Sequence, residues 1–436
     1  MDLREALAWL DRRIDHETAA SSGIAAGRVE GLSLEPMRQL MALLGDPQLD
    51  VPVIHLTGTN GKGSVGVMVE ALLREHGLLV GRYTSPHLER VNERLVRDGR
   101  PIDDEELAEV LSGVAALEEL LEVTPTWFEA LTAAAFRWFA EAPVDVAVVE
   151  VGLLGRYDAT NVAEATVAVA TSIGADHTDL APGWELAVAT EKAGIVGPTS
   201  TAVLGRLPDE LAGAFEAEGP ERLVRLGRDF DVLDDRIAVG GHVVDLQGLH
   251  GRHEEVFLPV HGRHQVDNAA VALAAVESFF DRELAADAVE AAFASVELPG
   301  RFEVAGHSPL VVLDGAHNPD ALAALVRTLE EEFSTLGSRL LVFGMLAGRD
   351  PDAAVEAVAR MQPDLVICTA PDGPRSLDAA DLAAVCERKG LPSEHVADPT
   401  AAVARALAVA AEEDLLVVTG SFRLIAPARA ALERAG

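Results

Sequence analysis

Apolar residues follow two rhythms along this chain. Short unbroken apolar runs alternate with longer stretches in which apolar positions return every three or four residues, the signature of buried strands between amphipathic helices. In the first part, Val51 to Leu56, Leu78 to Tyr83, Val144 to Val151 and Thr166 to Ser172 read as strands. Val65 to Arg74, Asp103 to Glu122, Thr124 to Ala140 and Glu185 to Ile195 read as helices. Ahead of them come helices at Leu3 to Ile14 and Leu34 to Leu44, the second with a Ser33 cap and Pro36 in its first turn, where a missing N–H does no harm. A small-residue loop, 19 to 28, separates the two.

The rhythm changes from Thr201 to about Pro259, where β-like runs alternate with Gly and Asp turns. Val232 to Val239 and Val243 to Leu246 predict a hairpin across Gly240-Gly241. Helices return at His264 to Phe280 and Ala285 to Val296. Leu298-Pro299-Gly300 reads as a linker, and beyond it the alternation restarts. Strands at Leu310 to Leu313, Arg339 to Phe343, Leu365 to Thr369 and Leu415 to Thr419 alternate with helices at Pro319 to Phe333, Asp352 to Met361, Ala379 to Lys389 and Thr400 to Ala411. The pattern predicts an α/β protein. Residues 1–298 form a P-loop-type, mostly parallel sheet with a β-rich segment, and 299–436 a smaller Rossmann-like α/β domain.

Composition narrows the function. The net charge, 35 − 71 = −36, repels nucleic acid and anionic membranes, so neither is an expected partner. An anionic substrate stays compatible, given local basic groups or Mg²⁺. The acidity also suits solubility in a salty cytoplasm, and both readings stand. No apolar run approaches the ~20 residues of a membrane span, and Met1-Asp2 with Glu5 offers no secretory signal. Cys368 and Cys386 form no metal or disulfide pattern, which fits a reducing cytosol. A cytoplasmic monomer is expected. Lysine is scarce: Lys62, Lys192 and Lys389 stand against 32 arginines. The lysines that do occur beside motifs therefore draw notice.

The first strand runs into Gly58-Thr59-Asn60-Gly61-Lys62-Gly63-Ser64, and a helix follows. Strand, glycine turn, lysine, hydroxyl and helix make a phosphate cradle. Glycines let backbone N–H groups crowd an anion at a helix N-terminus, Lys62 reaches the β/γ-phosphates, and Ser64 can hold Mg²⁺. The usual loop has four residues between its first glycine and Gly-Lys; here only Thr59 and Asn60 intervene, and Gly63 separates lysine from serine. The agreement of loop, lysine, hydroxyl and flanking elements outweighs the bland alternative of a ligand-free turn.

Other strand ends carry Ser85, Glu150 and His177. Parallel strands bring their carboxyl ends to one edge, where ligands gather. A carboxylate buried there costs several kcal/mol unless paired or bound to metal. With Ser64 or Ser85 and the imidazole it suits Mg²⁺, or Mn²⁺ given the nitrogen donor. Trp127 and Phe128 read first as core. In the second domain, Asp314-Gly-Ala-His-Asn-Pro319 and Thr419-Gly-Ser421 place polar groups at a sheet mouth, which suggests a cleft between domains that excludes water.

Taken in order, the chain resembles bacterial folylpolyglutamate synthase/dihydrofolate synthase, of the Mur ligase superfamily. The resemblance rests on Gly58 to Ser64, Ser85-Pro-His-Leu88, Val149-Glu-Val-Gly152, Asp158-Ala-Thr-Asn161, Ser172 to His177, Glu191-Lys-Ala-Gly-Ile195, His264-Gln265 with Asn268, Gly300-Arg301 and Asp314 to Pro319. It implies ATP-dependent ligation of L-glutamate to dihydropteroate or reduced folate through an acyl phosphate. It further implies that Gly61, Lys62, Gly63 and Ser64 hold phosphates and that Ser85, Glu150 and His177 bind the metal. Lys192 would be carbamylated, and Asn268, Arg301 and Asp314 would contact nucleotide. His317 and Ser421 would serve glutamate and phosphate, and Phe128, Tyr157 and Asp158 the pterin side. Leu154-Gly155 replaces the family's Gly-Gly, Tyr157 an aliphatic residue, and Gly197-Pro198 a more basic turn; these bear on the pterin contacts more than on the ATP site. A peptidoglycan-precursor ligase is the alternative enzyme, against which stand Ser-Pro-His-Leu and His-Gln after Arg263. A non-catalytic ATP module is the other alternative, against which stand Lys62, Glu150, His177 and Lys192 together.

Overall fold

The computed structural model describes every residue except 16–32, 143, 177, 179, 335 and 436. The expected loop at 19–28 and the candidate ligand His177 lie outside the described residues. The described chain forms two compact units. One holds the chain up to Pro259 together with His264–Val296; the other holds Val260–Arg263 and the chain from Glu297 onward.

The first unit contains an eight-stranded sheet. Its strands are β1 (Val53–Thr57), β2 (Val80–Tyr83), β3 (Leu95–Arg97), β4 (Arg100–Pro101), β5 (Val146–Glu150), β6 (Ala165–Ala170), β7 (Thr201–Leu204) and β8 (Arg222–Arg225), in spatial order β4-β3-β2-β5-β1-β6-β7-β8. Pairing is parallel from β2 through β8; the β2–β3 and β3–β4 pairs are antiparallel. The central strands β1 and β5 are buried along their whole length, because a parallel sheet is covered on both faces. Helices Leu3–Leu10, Glu35–Leu44, Asp104–Ala115 and Trp127–Glu141 share one apolar core with these strands.

Local chemistry sets several boundaries more tightly than periodicity does. The helix predicted from Thr124 starts at Trp127, because Thr126 and Glu129 form a reciprocal capping box. The helix predicted to reach Glu122 ends at Ala115. Beyond it a short 3₁₀ turn, Glu118–Leu120, presents Glu118 to the indole N–H of Trp9 at 2.8 Å and to Arg13 at 2.7 Å. A separate three-stranded antiparallel sheet, β9 (Asp231–Ala238), β10 (Gly241–Gln247) and β11 (Arg252–Leu258), contains the predicted hairpin plus an unpredicted third strand. The helix Asp209–Glu216 was also not evident in the pattern.

The second unit has a six-stranded sheet in order β12-β13-β17-β14-β15-β16. Its strands are β12 (Glu303–His307), β13 (Leu310–Leu313), β14 (Arg339–Phe343), β15 (Leu365–Cys368), β16 (Ser393–His395) and β17 (Leu415–Thr419). Only the β12–β13 pair is antiparallel. The edge strands β12 and β16 were missed because they are short and polar. The two cysteines prove to be neighbours: Cys368 ends β15, Cys386 lies on the helix that packs back on it, and the buried free thiols meet at 3.7 Å.

Candidate active site

β1 ends at Thr57 and the chain turns through Gly58 (φ 145°) and Gly61 (φ 92°), both in conformations that favour glycine. A Cβ on Gly58 would lie 1.9 Å from Thr171 Oγ1, and one on Gly61 2.8 Å from Asn268 Oδ1. The helix Lys62–Glu75 opens at Lys62, two residues earlier than Ser64. The reason is Gly61, whose left-handed backbone makes it the N-cap. Val65 N–H donates to Gly61 O at 2.9 Å, so the amides of Lys62, Gly63 and Ser64 precede the first helical bond. Those of Thr59 and Asn60 do not: they donate to Ser172 O at 2.8 Å and Ser172 Oγ at 2.9 Å. Thr59 and Asn60 therefore stitch the loop to the end of β6. Lys62 Nζ arches back over the loop and donates to Gly58 O at 2.9 Å.

Glu150 ends β5 and is buried. The β2–β5 register brings Thr84 and Ser85 beside it; its Oε2 accepts from the Thr84 hydroxyl and, at 3.2 Å, from Ser85 N–H. Ser64 and Ser85 are buried too.

Lys192 lies on the helix Trp184–Ala193, 4% exposed. Burial, and next the Lys62 ammonium, push its amine down to about 7, against the weaker pull of Asp176 and Asp158. Lys62 and Lys192 line one small, partly open cavity together with Gly58, Thr59, Val151, Gly152, Leu154 and Asp176. Phe128 packs on this wall: a Cβ on Gly152 would lie 2.5 Å from its ring, which is 5.8 Å from that of Tyr83. Tyr157 is 40% exposed. Asp158 is buried, and its carboxylate accepts from Leu153 N–H at 2.8 Å, Thr160 N–H at 3.0 Å and the Thr160 hydroxyl. That carboxylate is used within its own loop.

In the second unit, Asp314 follows β13 and accepts from the amides of Phe302 and Ala316, each at 2.7 Å; burial raises its carboxyl to about 6. The Arg301 guanidinium lies 5.0 Å from the Phe422 ring, and His317 lies 5.9 Å from the same ring. His317 Nδ1–H donates to Gly315 O at 2.8 Å. Arg349 reaches the His317 carbonyl at 2.9 Å. Ser421 is buried at the end of β17 and accepts from Arg423 N–H at 3.3 Å.

Two family models cover most of the chain: the Mur ligase middle domain matches residues 56–276, and the Mur ligase, glutamate ligase domain matches 300–422. The dihydrofolate synthase/folylpolyglutamate synthase of Mycobacterium tuberculosis is 42% identical over 385 residues, 82% of this chain and 78% of that protein. The chain belongs to the Mur ligase family, among the dihydrofolate synthase/folylpolyglutamate synthases. The solved Mycobacterium tuberculosis folylpolyglutamate synthase complexed with ADP matches with a TM-score of 0.90 at 38% identity, covering 99% of this chain and 98% of that one. The bifunctional enzyme from Yersinia pestis, complexed with AMPPNP and Mn ion, matches with a TM-score of 0.85 at 30% identity, covering 99% and 98%.

Within this Mur ligase framework the oxygen donors of Ser64, Ser85 and Glu150 fit a hard divalent cation. Among the described residues no three His, Cys, Asp or Glu side chains form a metal cluster. The fit thus rests on one buried carboxylate, Glu150, and the donor chemistry of the two buried serines. Thr84 and Asp176 were not singled out from the sequence. Thr84 had one readable signal, its place one residue before Ser85 at a strand end; Asp176 had its place in the segment before His177.

Proposed function

We propose that this chain is an ATP-dependent ligase that joins L-glutamate to dihydropteroate, to reduced folate and its polyglutamates, or to both, releasing ADP and phosphate. The observation that carries this reading is the cavity on which a glycine phosphate loop, Lys62 and the buried Lys192, its amine pushed down to about 7, converge. A carboxylate is a poor electrophile. Moving the γ-phosphoryl group of ATP onto it makes an acyl phosphate, the glutamate amine attacks the carbonyl carbon, and phosphate leaves. Little covalent chemistry falls to the protein, so positioning and charge neutralisation dominate.

Each residue follows from that need. The amides of Lys62, Gly63 and Ser64 and the Lys62 ammonium take the negative charge of the β- and γ-phosphates. Ser64, Ser85 and Glu150, with His177, hold the divalent cation, Mg²⁺ or Mn²⁺, which when bound neutralises phosphate charge. Lys192, with an amine that loses its proton near neutral pH, adds to CO₂ to give a carbamate and a released proton, which turns a cation into an anion in the cavity. Asn268 serves the nucleotide beside Gly61, as do Arg301 and Asp314 in the second unit, where His317 and Ser421 serve glutamate and phosphate. Phe128, Tyr157 and Asp158 serve the pterin side, and Asp158 also shapes the loop that carries Tyr157. In this reading the ATP-binding domain runs over residues 1–298 and the glutamate-ligase domain over 299–436.

We also take the protein to be a cytoplasmic monomer; no described helix is long and apolar enough to cross a membrane. The deciding experiment supplies ATP, Mg²⁺ and L-glutamate with dihydropteroate or tetrahydrofolate and follows phosphate release and glutamylated product. Product with either acid is expected; nucleotide binding without product on both overturns the reading.

A further inference from the structure

His55 lies in the middle of β1, hydrogen-bonded on one side to β5 and on the other to β6, with its side chain fully buried. Its Nε2 is 2.9 Å from Thr160 Oγ1, and its Nδ1 has no hydrogen-bond partner. The Thr160 hydroxyl donates its one proton to Asp158 Oδ1, so its oxygen faces His55 as an acceptor. The imidazole therefore carries its proton on Nε2, and burial keeps the ring neutral, pushing it down to about 3. An apolar side chain would fill this place without stranding Nδ1. What the histidine adds is that one bond.

The bond fastens a loop that matters. Gly152 and Leu154 line the cavity with Lys62 and Lys192, and Phe128 rests on Gly152. Thr57, two residues after His55 and so on the same face of β1, donates its hydroxyl to Leu154 O at 2.7 Å. One strand face thus holds the loop 152–162 at both ends, through Thr57 near its start and His55 near its close. Leu154, in a left-handed conformation (φ 58°), packs against Val188 on the helix that carries Lys192. The same strand continues into the glycine loop.

We propose that His55 is a positioning residue for the acid substrate: through Thr160 and Asp158 it sets the wall formed by residues 152–162 against the phosphate loop. This rests on the ligase reading for its kinetic consequence, but not for its structural one. In His55→Leu and Thr160→Val, KM for the pterin acid rises about tenfold or more while KM for ATP stays within about twofold. Thr160→Ser, which keeps the hydroxyl, restores the acid KM. The double variant is no worse than either single one, because both break the same chain. Amide hydrogen exchange at Leu153 and Thr160 speeds up in the variants while β5 stays protected. Unchanged acid KM, parallel rises in both KM values, or additive effects in the double variant overturn the proposal. Should His55→Leu fail to fold, Thr160→Val against Thr160→Ser carries the test. Should wild type ligate neither acid, the ligase reading has failed, and exchange alone decides: unaltered protection at Leu153 and Thr160 overturns the role of His55.

Discussion

Lys62 and Lys192 line the same cavity, and the charge on the first adds to burial in pushing the amine of the second down to about 7. Two of the three lysines in a chain with 32 arginines thus meet at one site in opposite protonation roles. An arginine could not take the second role, because a guanidinium does not lose its proton near neutral pH.

The pH dependence of this pair has a definite sign. The Lys192 amine sits below its unfolded value, so a protonated Lys192 opposes folding. That cost is full below about pH 7 and fades as pH rises toward the unfolded value near 10.4. In CO₂-free buffer, Lys192→Met is expected to be more stable than wild type at pH 6, by a margin on the order of a few kcal/mol. The two unfolding curves converge by about pH 10. Urea titrations across that range check it. In assays with bicarbonate, Lys192→Ala loses turnover, and short carboxylates restore part of it; full activity without rescue removes the carbamate from the mechanism.

Lys62→Ala removes the cation proposed to meet the phosphates, the same charge that depresses the Lys192 amine. Turnover falls by about 10³-fold or more. Independently, the amine of Lys192 titrates at a higher pH than in wild type. A pH-stability profile that does not move contradicts their electrostatic contact.

The Thr84 hydroxyl donates to Glu150, so if Glu150 holds the cation as proposed, the effect of Thr84 reads out through metal binding. Thr84→Val is expected to raise the Mg²⁺ or Mn²⁺ concentration for half-maximal turnover by about tenfold. Glu150→Gln raises it further. Metal titrations at saturating ATP distinguish this from a folding defect, which lowers the plateau without shifting the midpoint.

Gly61→Ala meets two obstacles at once, a left-handed backbone and Asn268 Oδ1 at 2.8 Å from the added carbon. A loss of about 1–3 kcal/mol is expected, with weaker ATP binding. Adding Asn268→Ala relieves the clash but not the backbone strain, so stability recovers only in part. Thermal unfolding with and without nucleotide separates the two.

Much of the α/β alternation could be read because strand and helix patterns depend on neighbouring residues. The glycine loop, Glu150 at the end of β5 and Lys192 on its helix were legible from type and position. The short polar strands β12 and β16 and the helix Asp209–Glu216 were not, since their burial comes from partners elsewhere in the chain. Asp158 illustrates the same limit. From the sequence its carboxylate stands only in a motif beside Tyr157; that it accepts from the amides of Leu153 and Thr160 is decided by the fold.

By itself, the sequence determined where chemistry sits along the chain: a phosphate loop between strand and helix, carboxylates at strand ends, and a rare lysine in a helix. Those are local properties, set by residues a few positions apart. Only the tertiary structure decided which of these groups remain free to react. It commits the amide of Asn60 to Ser172, 112 residues away, ties His55 to Thr160 across 105, and pushes the Lys192 amine down to about 7 by burying it near the Lys62 charge. Hydrogen bonding and desolvation depend on what is near in space, and that proximity is created when distant strands pair.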